Sequence, residues 1–564
     1  MFDSKKERLV IIGAIAAGTS AAAKARRKNE DIDIVLYEKD KYISYGTCGL
    51  PYFVSGKIER MNKLLVNTVK LFEKRFNLKV NARHEVLKID TDNKRLSIKN
   101  LKTGEIFEDY YDKLIITSGS KPIVPSFKGA KPEDIFNLKT IEDSLKLKKK
   151  LEGLESEIKK SGKDKKAVII GGGFIGLELL EAFVEKGLKV TIIEKMEQIL
   201  PMFDVEVIEY LHNYLLSKDI ELSLCDEVDC INVDDNKKMS VKTACGNSYD
   251  ADLIFCGIGT RPDATLAKEA GIPVDERGLI VVDEKMQTPI KDIYAAGDCC
   301  QCINTLNDDV RSFNLASIAN RQGRVAGYNC AGGSDTFKGS TVTSIIKVLD
   351  IAISKTGLSL KDARKAGFDS AKVELHALSH AGYYPGAEMI HMICIFDKKT
   401  SRLLGFEAIS KQGADKKTDV MALAIKNNMK LEDLANLDLC YQPEFGSAKD
   451  PLNILGMIGE NMVRGEVEFI DVEELKELLQ NNEKVQIIDV RTEKEYNKGH
   501  IQGAKLIPVD DIRDRLDELD KKKKIVVHCR TSYRSYLAYR ILKNNGFSDV
   551  KNLNGSYWSW TRKI

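Results

Sequence analysis

The 564-residue sequence has almost no charge imbalance: 87 Lys and Arg face 84 Asp and Glu, a formal net charge of +3. That balance gives no pull toward a polyanion or an acidic membrane surface, so nucleic acid is not an expected partner. Long apolar runs are also missing. The longest, residues 10–23, is broken by Gly13, Gly18, Thr19 and Ser20 and is too short to span a bilayer. The opening residues are charged and lead straight into an apolar strand pattern at 9–12, without the apolar core and cleavage site of a secretion signal. A cytoplasmic location is therefore expected. The twelve cysteines lack the dense, regular spacing of a disulfide scaffold, and cytosolic thiols stay reduced. Most should pack as small apolar side chains.

Against that background Cys48 stands out. It lies in the run Ser44-Tyr45-Gly46-Thr47-Cys48-Gly49-Leu50-Pro51, and no other cysteine occurs before Cys225. Upstream is a strand at 9–12, the loop Gly13-Ala14-Ile15-Ala16-Ala17-Gly18, a helix through 27, and a strand at 32–37 closed by Glu38. This is the layout in which glycines admit a pyrophosphate to a helix N-terminus and an acid accepts ribose hydroxyls. Ile15 replaces the middle glycine, which weakens the motif taken alone. A second unit is complete: a strand at 167–170, Gly171-Gly172-Gly173-Phe174-Ile175-Gly176, a helix to 186, and a strand at 190–193 closed by Glu194. The acid there repels a 2′-phosphate, so NADH is expected rather than NADPH.

Two such units, followed by Ile293-Tyr294-Ala295-Ala296-Gly297-Asp298, resemble the pyridine nucleotide-disulfide oxidoreductases. The resemblance implies one FAD and one NADH site, with Asp298 on the ribityl chain. FAD contacts are expected from Gly13, Ala14, Ala16, Gly18, Glu38, Lys39, Ser118, Gly119, Gly297 and Asp298, and NADH contacts from Gly171, Gly173, Gly176 and Glu194. The fold class is α/β, with two Rossmann-like domains, the FAD domain split by the NAD domain. The resemblance implies an α+β dimerisation domain next, and a C-terminal α/β domain follows it. The expected boundaries are 1–120 and 256–334 for FAD binding, 121–255 for NAD binding, 335–450 for dimerisation, 451–465 for a helical linker and 466–564 for the last domain. That last domain, with Asp489-Val490-Arg491, Gly499-His500-Ile501 and Asn554-Gly555, resembles rhodanese.

A thiolate near positive potential is the form that attacks sulfur. Positions 49–52 offer no resolving cysteine, so Cys48 must form either a mixed disulfide with substrate or a sulfenic acid. Flavin peroxidases and oxidases that use a sulfenic acid carry a histidine in the first glycine loop, where this chain has Ala16. Residues 44–51, His380-Ala381-Gly382-Tyr383-Tyr384-Pro385-Gly386 and Cys440-Tyr441-Gln442-Pro443 resemble the coenzyme A-disulfide reductase family over residues 9 to about 460. That resemblance implies a homodimer in which Tyr383 and Tyr441 reach the partner's cysteine, where a phenol can act as general acid. Interface packing is the plainer reading of both tyrosines, and a structural role that of His380. Coenzyme A carries phosphates, for which Lys24, Arg26, Arg27, Lys74 and Arg75 are candidate cations, with Ser44 and Thr47 beside the thiol.

In the C-terminal domain four residues separate Cys529 from Arg534 in Cys529-Arg530-Thr531-Ser532-Tyr533-Arg534. A tyrosine phosphatase loop has five, so the shorter loop suits a persulfide, with Arg530 and Arg534 as anion contacts. Cys299-Cys300-Gln301-Cys302 lacks a fourth ligand or a matching histidine, and no metal is expected. The expected function is an FAD-dependent NADH oxidoreductase acting on coenzyme A disulfide, coenzyme A persulfide or polysulfide, with Cys529 handling sulfane sulfur. The alternatives are an NADH oxidase or peroxidase using a Cys48 sulfenic acid, and a carrier delivering sulfane sulfur to a partner protein. Sequence does not rank the sulfur acceptors or assign a physiological role.

Overall fold

The computed structural model describes residues 6–234, 238–481 and 483–562. Among them, no helix is long and apolar enough to cross a membrane. The chain divides into two units, one running to Ile199 and resuming over Ile220–Val342, the other comprising Leu200–Asp219 and the chain from Thr343 onward.

The first unit holds two parallel sheets. In one, the strands Ile293–Ala295, Lys113–Ile116, Arg8–Ile12, Asp33–Glu38 and Lys79–Ala82 lie side by side in that order. Leu9, Val10 and Ile11 are fully buried, as expected of a parallel strand covered on both faces. The helix Ala16–Lys28 packs on the helix Ala316–Cys330. A Cβ at Gly323 or Gly327 would lie 2.3 or 2.1 Å from the carbonyl oxygens of Ala17 and Ala21, so these glycines permit the close crossing. The other sheet runs Glu221–Ser223, Leu188–Ile193, Lys165–Ile170, Leu253–Cys256 and Ile135–Phe136. The unit also holds two three-stranded antiparallel sheets, one of them Val228–Val233, Met239–Thr243 and Ser248–Ala251, and two antiparallel strand pairs, Ser120–Pro122 with Thr260–Pro262 and Cys302–Ile303 with Val310–Arg311.

In the second unit a five-stranded antiparallel sheet is ordered Ser344–Val348, Ile351–Gly357, Leu403–Ser410, Met389–Asp397 and Ser370–Leu378. Every residue of Leu403–Ser410 is buried, so alternation is lost where both faces are covered. The helix Pro451–Val463 starts at Asp450, whose side chain accepts the Leu452 N–H, with Pro451 in the first turn. Beyond it lies a parallel sheet ordered Phe469–Ile470, Val550–Leu553, Lys524–His528, Val485–Asp489 and Lys505–Leu506. The six-residue helix Ser556–Thr561 ends the described chain.

Candidate functional site

Both glycine loops are shaped by steric demand. At Gly13 the backbone has φ +97°, and an added Cβ would lie 2.3 Å from the Thr117 carbonyl oxygen. A Cβ on Gly18 would meet the Gly13 oxygen at 1.9 Å. Ile15, in place of a glycine, starts the helix Ala16–Lys28, and no side chain caps that N-terminus. Such an end presents backbone N–H groups to an anion. In the second loop Gly171 has φ +100°, and Cβ atoms on Gly172 and Gly176 would collide with Ile199 and with the Gly171 oxygen. Gly173, by contrast, faces open space to within 3.7 Å of the nearest atom.

The terminal acids play matching local roles. Glu38 accepts the Ala14 N–H at 2.7 Å and the Asp40 N–H at 2.9 Å. Glu194 accepts the Gly172 N–H at 2.7 Å and the Met196 N–H at 2.9 Å. Burial pushes the Glu38 carboxyl up, and these two N–H groups oppose the shift.

A cavity of about 670 Å³ opens over the first loop. Its lining brings together Gly13, Ala16, Glu38, Lys39, Thr47, Cys48, Ser118, Gly119, Gly297 and Asp298. Ala14, Gly18 and Ser44 are buried and are not part of this lining. Cys48 is the one cysteine of the lining among the described residues. It is exposed and sits in a 3-10 turn, Thr47–Gly49, ahead of the helix Leu50–Ser55. The preceding strand, Asp33–Glu38, finishes well before it. Ser120 donates to Asp298 at 3.0 Å, and Lys139 donates to Ser120 at 2.9 Å, a tether that no local pattern announces. Lys39 pairs with Asp263 at 3.6 Å.

The candidate phosphate contacts divide. Arg75 reaches Asn67, which donates to Ser44 Oγ at 3.1 Å, so one cation is linked to the Cys48 segment. Arg27 is exposed, and Lys24 lies 4.5 Å over the Tyr328 ring. Arg26 is spent inside the fold: it is buried and donates to the carbonyl oxygens of Asn29, Glu30, Phe76 and Asn77. Cys299 and Cys300 direct their sulfurs at Ala296, Ile116 and Gly297 carbonyl oxygens, and burial pushes both thiols up.

In the second unit the Tyr383 and Tyr441 hydroxyls lie 3.0 Å apart, and both rings are exposed. His380 is buried against Ser379 and the Pro385 oxygen. Cys529 is 1 % exposed, one residue past the strand Lys524–His528. Its sulfur accepts the Ser532 N–H at 3.2 Å and lies 3.6 Å from Ser535 Oγ and 3.9 Å from Ser556 Oγ. Ser532 reaches this position with φ +85°. Ser556 also accepts the Cys529 N–H at 3.2 Å, a contact from the start of the distant helix Ser556–Thr561 that the local sequence does not reveal. Arg534 forms a two-pronged pair with Glu495 at 2.7 and 2.8 Å and also interacts with the Cys529 sulfur. Arg530 instead lies 4.5 Å over the Trp558 ring.

Three family descriptions match along the chain. They are pyridine nucleotide-disulphide oxidoreductase over residues 7–323, the dimerisation domain of that family over 343–451, and rhodanese-like domain over 471–563. A coenzyme A disulfide reductase from Staphylococcus aureus is 31 % identical over 451 residues, covering 80 % of this chain and 99 % of its own. The structure of reduced Bacillus anthracis CoADR-RHD has a TM-score of 0.92 at 37 % identity, covering 99 % of this chain and 98 % of that one. A NAD-dependent persulfide reductase from A. fulgidus superposes with a TM-score of 0.89 at 34 % identity, covering 98 % and 100 %. With its nucleotide loops, dimerisation domain and C-terminal rhodanese-like domain, the chain belongs to the pyridine nucleotide-disulphide oxidoreductase family.

Proposed function

We propose that this protein is an FAD-dependent NADH oxidoreductase that reduces coenzyme A disulfide, coenzyme A persulfide or polysulfide through Cys48, with Cys529 carrying sulfane sulfur. The observation that carries the reading is the single cysteine in the lining of the first cavity, beside Gly13, Gly119, Gly297 and Asp298. The glycine loops fit a dinucleotide, since Cβ atoms at Gly13, Gly18 and Gly176 would strike the Thr117, Gly13 and Gly171 carbonyl oxygens and undo the tight turns. Bound FAD would relay two electrons from NADH to the thiol. Glu38 and Asp298 would hold ribose and ribityl hydroxyls, and Glu194 would select NADH against a 2′-phosphate.

The chemistry of the chain then follows. Cys48 thiolate attacks the disulfide, so that a Cys48–S–S–R bond forms and one RS⁻ leaves. Two electrons and a proton return Cys48 to thiolate and release RSH. From a coenzyme A persulfide the first leaving group is hydrosulfide. Because no second thiol lines the cavity among the described residues, the mixed disulfide must be reduced where it forms. Tyr383 and Tyr441, supplied by a partner subunit in a homodimer, would protonate the departing thiolate. Cys529, surrounded by an N–H and two hydroxyls, would hold its outer sulfur as a persulfide anion.

Anaerobic NADH oxidation with coenzyme A disulfide, coenzyme A persulfide, polysulfide and peroxide, repeated on Cys48→Ser and Cys529→Ser, tests this. Turnover with the sulfur acceptors that Cys48→Ser abolishes is expected. Faster turnover with peroxide would replace the reading by a sulfenic acid mechanism. If Cys529→Ser leaves every acceptor unaffected, Cys529 has no part in the reduction.

A further inference from the structure

Most thiols outside the two sulfur centres are buried, but Cys225 and Cys245 are both exposed, and they are neighbours. Cys225 follows the strand Glu221–Ser223, and Cys245 sits in the turn between Met239–Thr243 and Ser248–Ala251. Val228 pairs with Thr243, and the pairing continues outward. The Ala244 N–H reaches the Glu227 oxygen at 2.8 Å, and the Cys245 N–H reaches Asp226 Oδ1 at 3.2 Å. This register lays Cys245 Sγ against the other thiol's backbone, 3.8 Å from the Cys225 carbonyl oxygen.

Cys225 also has left-handed backbone, φ +53°, which is uncommon for a residue with a Cβ. It is held there by its N–H on the Met196 oxygen at 3.0 Å. The next N–H, of Asp226, donates to the Glu194 oxygen at 3.1 Å, and the Glu194 N–H donates to Ser223 at 2.8 Å. The Cys225 turn is therefore bonded directly to the residue whose carboxylate closes the second glycine loop at Gly172.

We propose that Cys225 and Cys245 form a thiol–disulfide exchange site on the nucleotide-binding unit, taking a low-molecular-weight disulfide and closing to an intramolecular bond that changes NADH affinity. The identity of that disulfide as coenzyme A disulfide rests on the function proposed above; the site itself does not. Cys225, having lost its proton to solvent, attacks one sulfur of RS–SR, forming Cys225–S–SR and releasing RS⁻. Cys245 then loses its proton to solvent and attacks the Cys225 sulfur. The Cys225–Cys245 bond forms and the second RS⁻ leaves. Two protein thiols are oxidised by two electrons, and one disulfide is reduced to two thiols. The order follows from Asp226, whose hydrogen bonding with Cys245 pushes that thiol up and leaves Cys225 as the first nucleophile. Joining the two side chains pulls on a turn that the Glu194 backbone shares.

The test uses the full chain with Cys48→Ser and Cys529→Ser, which removes the other two sulfur centres. It is treated separately with oxidised glutathione and coenzyme A disulfide. Non-reducing peptide mapping should find Cys225 joined to Cys245, with the protein two hydrogen masses lighter. NADH affinity, read by fluorescence titration, should change at least about fivefold and return on reduction with dithiothreitol. Adding Cys245→Ser should leave a mixed disulfide on Cys225, and adding Cys225→Ser should remove both products. Failure of both disulfides to join the pair, or a bond that leaves NADH affinity unchanged, overturns the proposal. A bond formed by oxidised glutathione but not by coenzyme A disulfide upholds the site and overturns coenzyme A disulfide as the disulfide it takes.

Discussion

Ser559 Oγ donates to Glu374 Oε2 across 2.7 Å, and the same hydroxyl lies 2.9 Å from His376 Nε2. One buried serine thus ties the last helix of the rhodanese-like domain to the antiparallel sheet of the same unit. His376 stands opposite His391 in the register, and the rings stack at 4.5 Å. Lys372 approaches the other oxygen of Glu374 at 3.3 Å. Burial opposes ionisation of Glu374, but hydrogen bonding to His391 and the charge of Lys372 hold its carboxyl well below the usual range. Glu374, His376 and His391 place donor atoms within 4.8 Å of one another, a spacing also open to a metal. Ser559 and Lys372 already partner that carboxylate. Ser559→Ala is expected to cost about 1–3 kcal/mol, since it leaves buried acceptors short of a donor. Both tryptophans, Trp558 and Trp560, lie in this helix, so tryptophan fluorescence reports the loss. Dialysis against a chelator should leave the same transition unmoved.

The junction should weaken in acid. Burial holds the His376 imidazole neutral, well below its ordinary value. Unfolded histidine takes a proton near pH 6.5, so below that the unfolded state binds more protons and stability falls with falling pH. Glu374 adds the same sign at lower pH: its contribution is present above the unfolded carboxyl value of about 4.3 and lost as pH falls toward the folded one. The fluorescence-detected midpoint should drop between about pH 7 and 5, with a slope of up to about 1.4 kcal/mol per pH unit for one proton. His376→Gln should flatten that slope in this range.

Tyr383 and Tyr441 share a hydrogen bond that raises the Tyr383 phenol. If they protonate the thiolate as a pair, each Phe variant should lower kcat/KM by about 10²-fold or more. The double variant should lose much less than the product of the two, because each substitution already breaks the shared bond. Additive losses in steady-state kinetics would separate the two hydroxyls functionally.

Glu495 fixes Arg534 beside the Cys529 sulfur, and that hydrogen bond pulls the Glu495 carboxyl down to about 2. Glu495→Gln should lower sulfur transfer to cyanide by about tenfold, because the guanidinium loses its charged anchor. Turnover with coenzyme A disulfide, which needs no sulfane carrier, should be retained.

Much of the architecture could be read from short apolar runs closed by glycine. A strand at 9–12 becomes Arg8–Ile12, a helix through 27 ends at Lys28, and the stretch 451–465, read as a helical linker, holds the helix Pro451–Val463. Other features depend on distant segments. Leu200–Asp219 falls within a nucleotide module by sequence but clusters with the second unit, because nothing in its helical pattern says which face finds a partner. Ser556 and Ser559 lie in a six-residue helix too short for any periodic signal. Arg530 follows the loop cysteine directly, yet its guanidinium lies over Trp558, a ring supplied from 28 residues downstream.

Glu178, on the helix Phe174–Glu185, is pushed up to about 7 by burial. That helix packs against Leu50–Ser55, the helix that follows Cys48. A carboxyl raised in the folded state contributes stability below its unfolded value of about 4.3 and loses it as pH rises through 7. Glu178→Gln should remove this alkaline loss, so the variant's stability relative to the native protein should rise progressively between about pH 5 and 8, a difference to which His376 makes no contribution. An unchanged profile would show that the carboxyl is ionised throughout.

The central claim is that one thiol in the cavity exchanges directly with a disulfide, without a second protein thiol. Peptide mapping of the protein after treatment with coenzyme A disulfide, before and after anaerobic addition of NADH, tests it most directly. A coenzyme A adduct on the Cys48 peptide that NADH removes, with release of free coenzyme A, is the predicted result. An unmodified Cys48, or an adduct that NADH leaves in place, would contradict it.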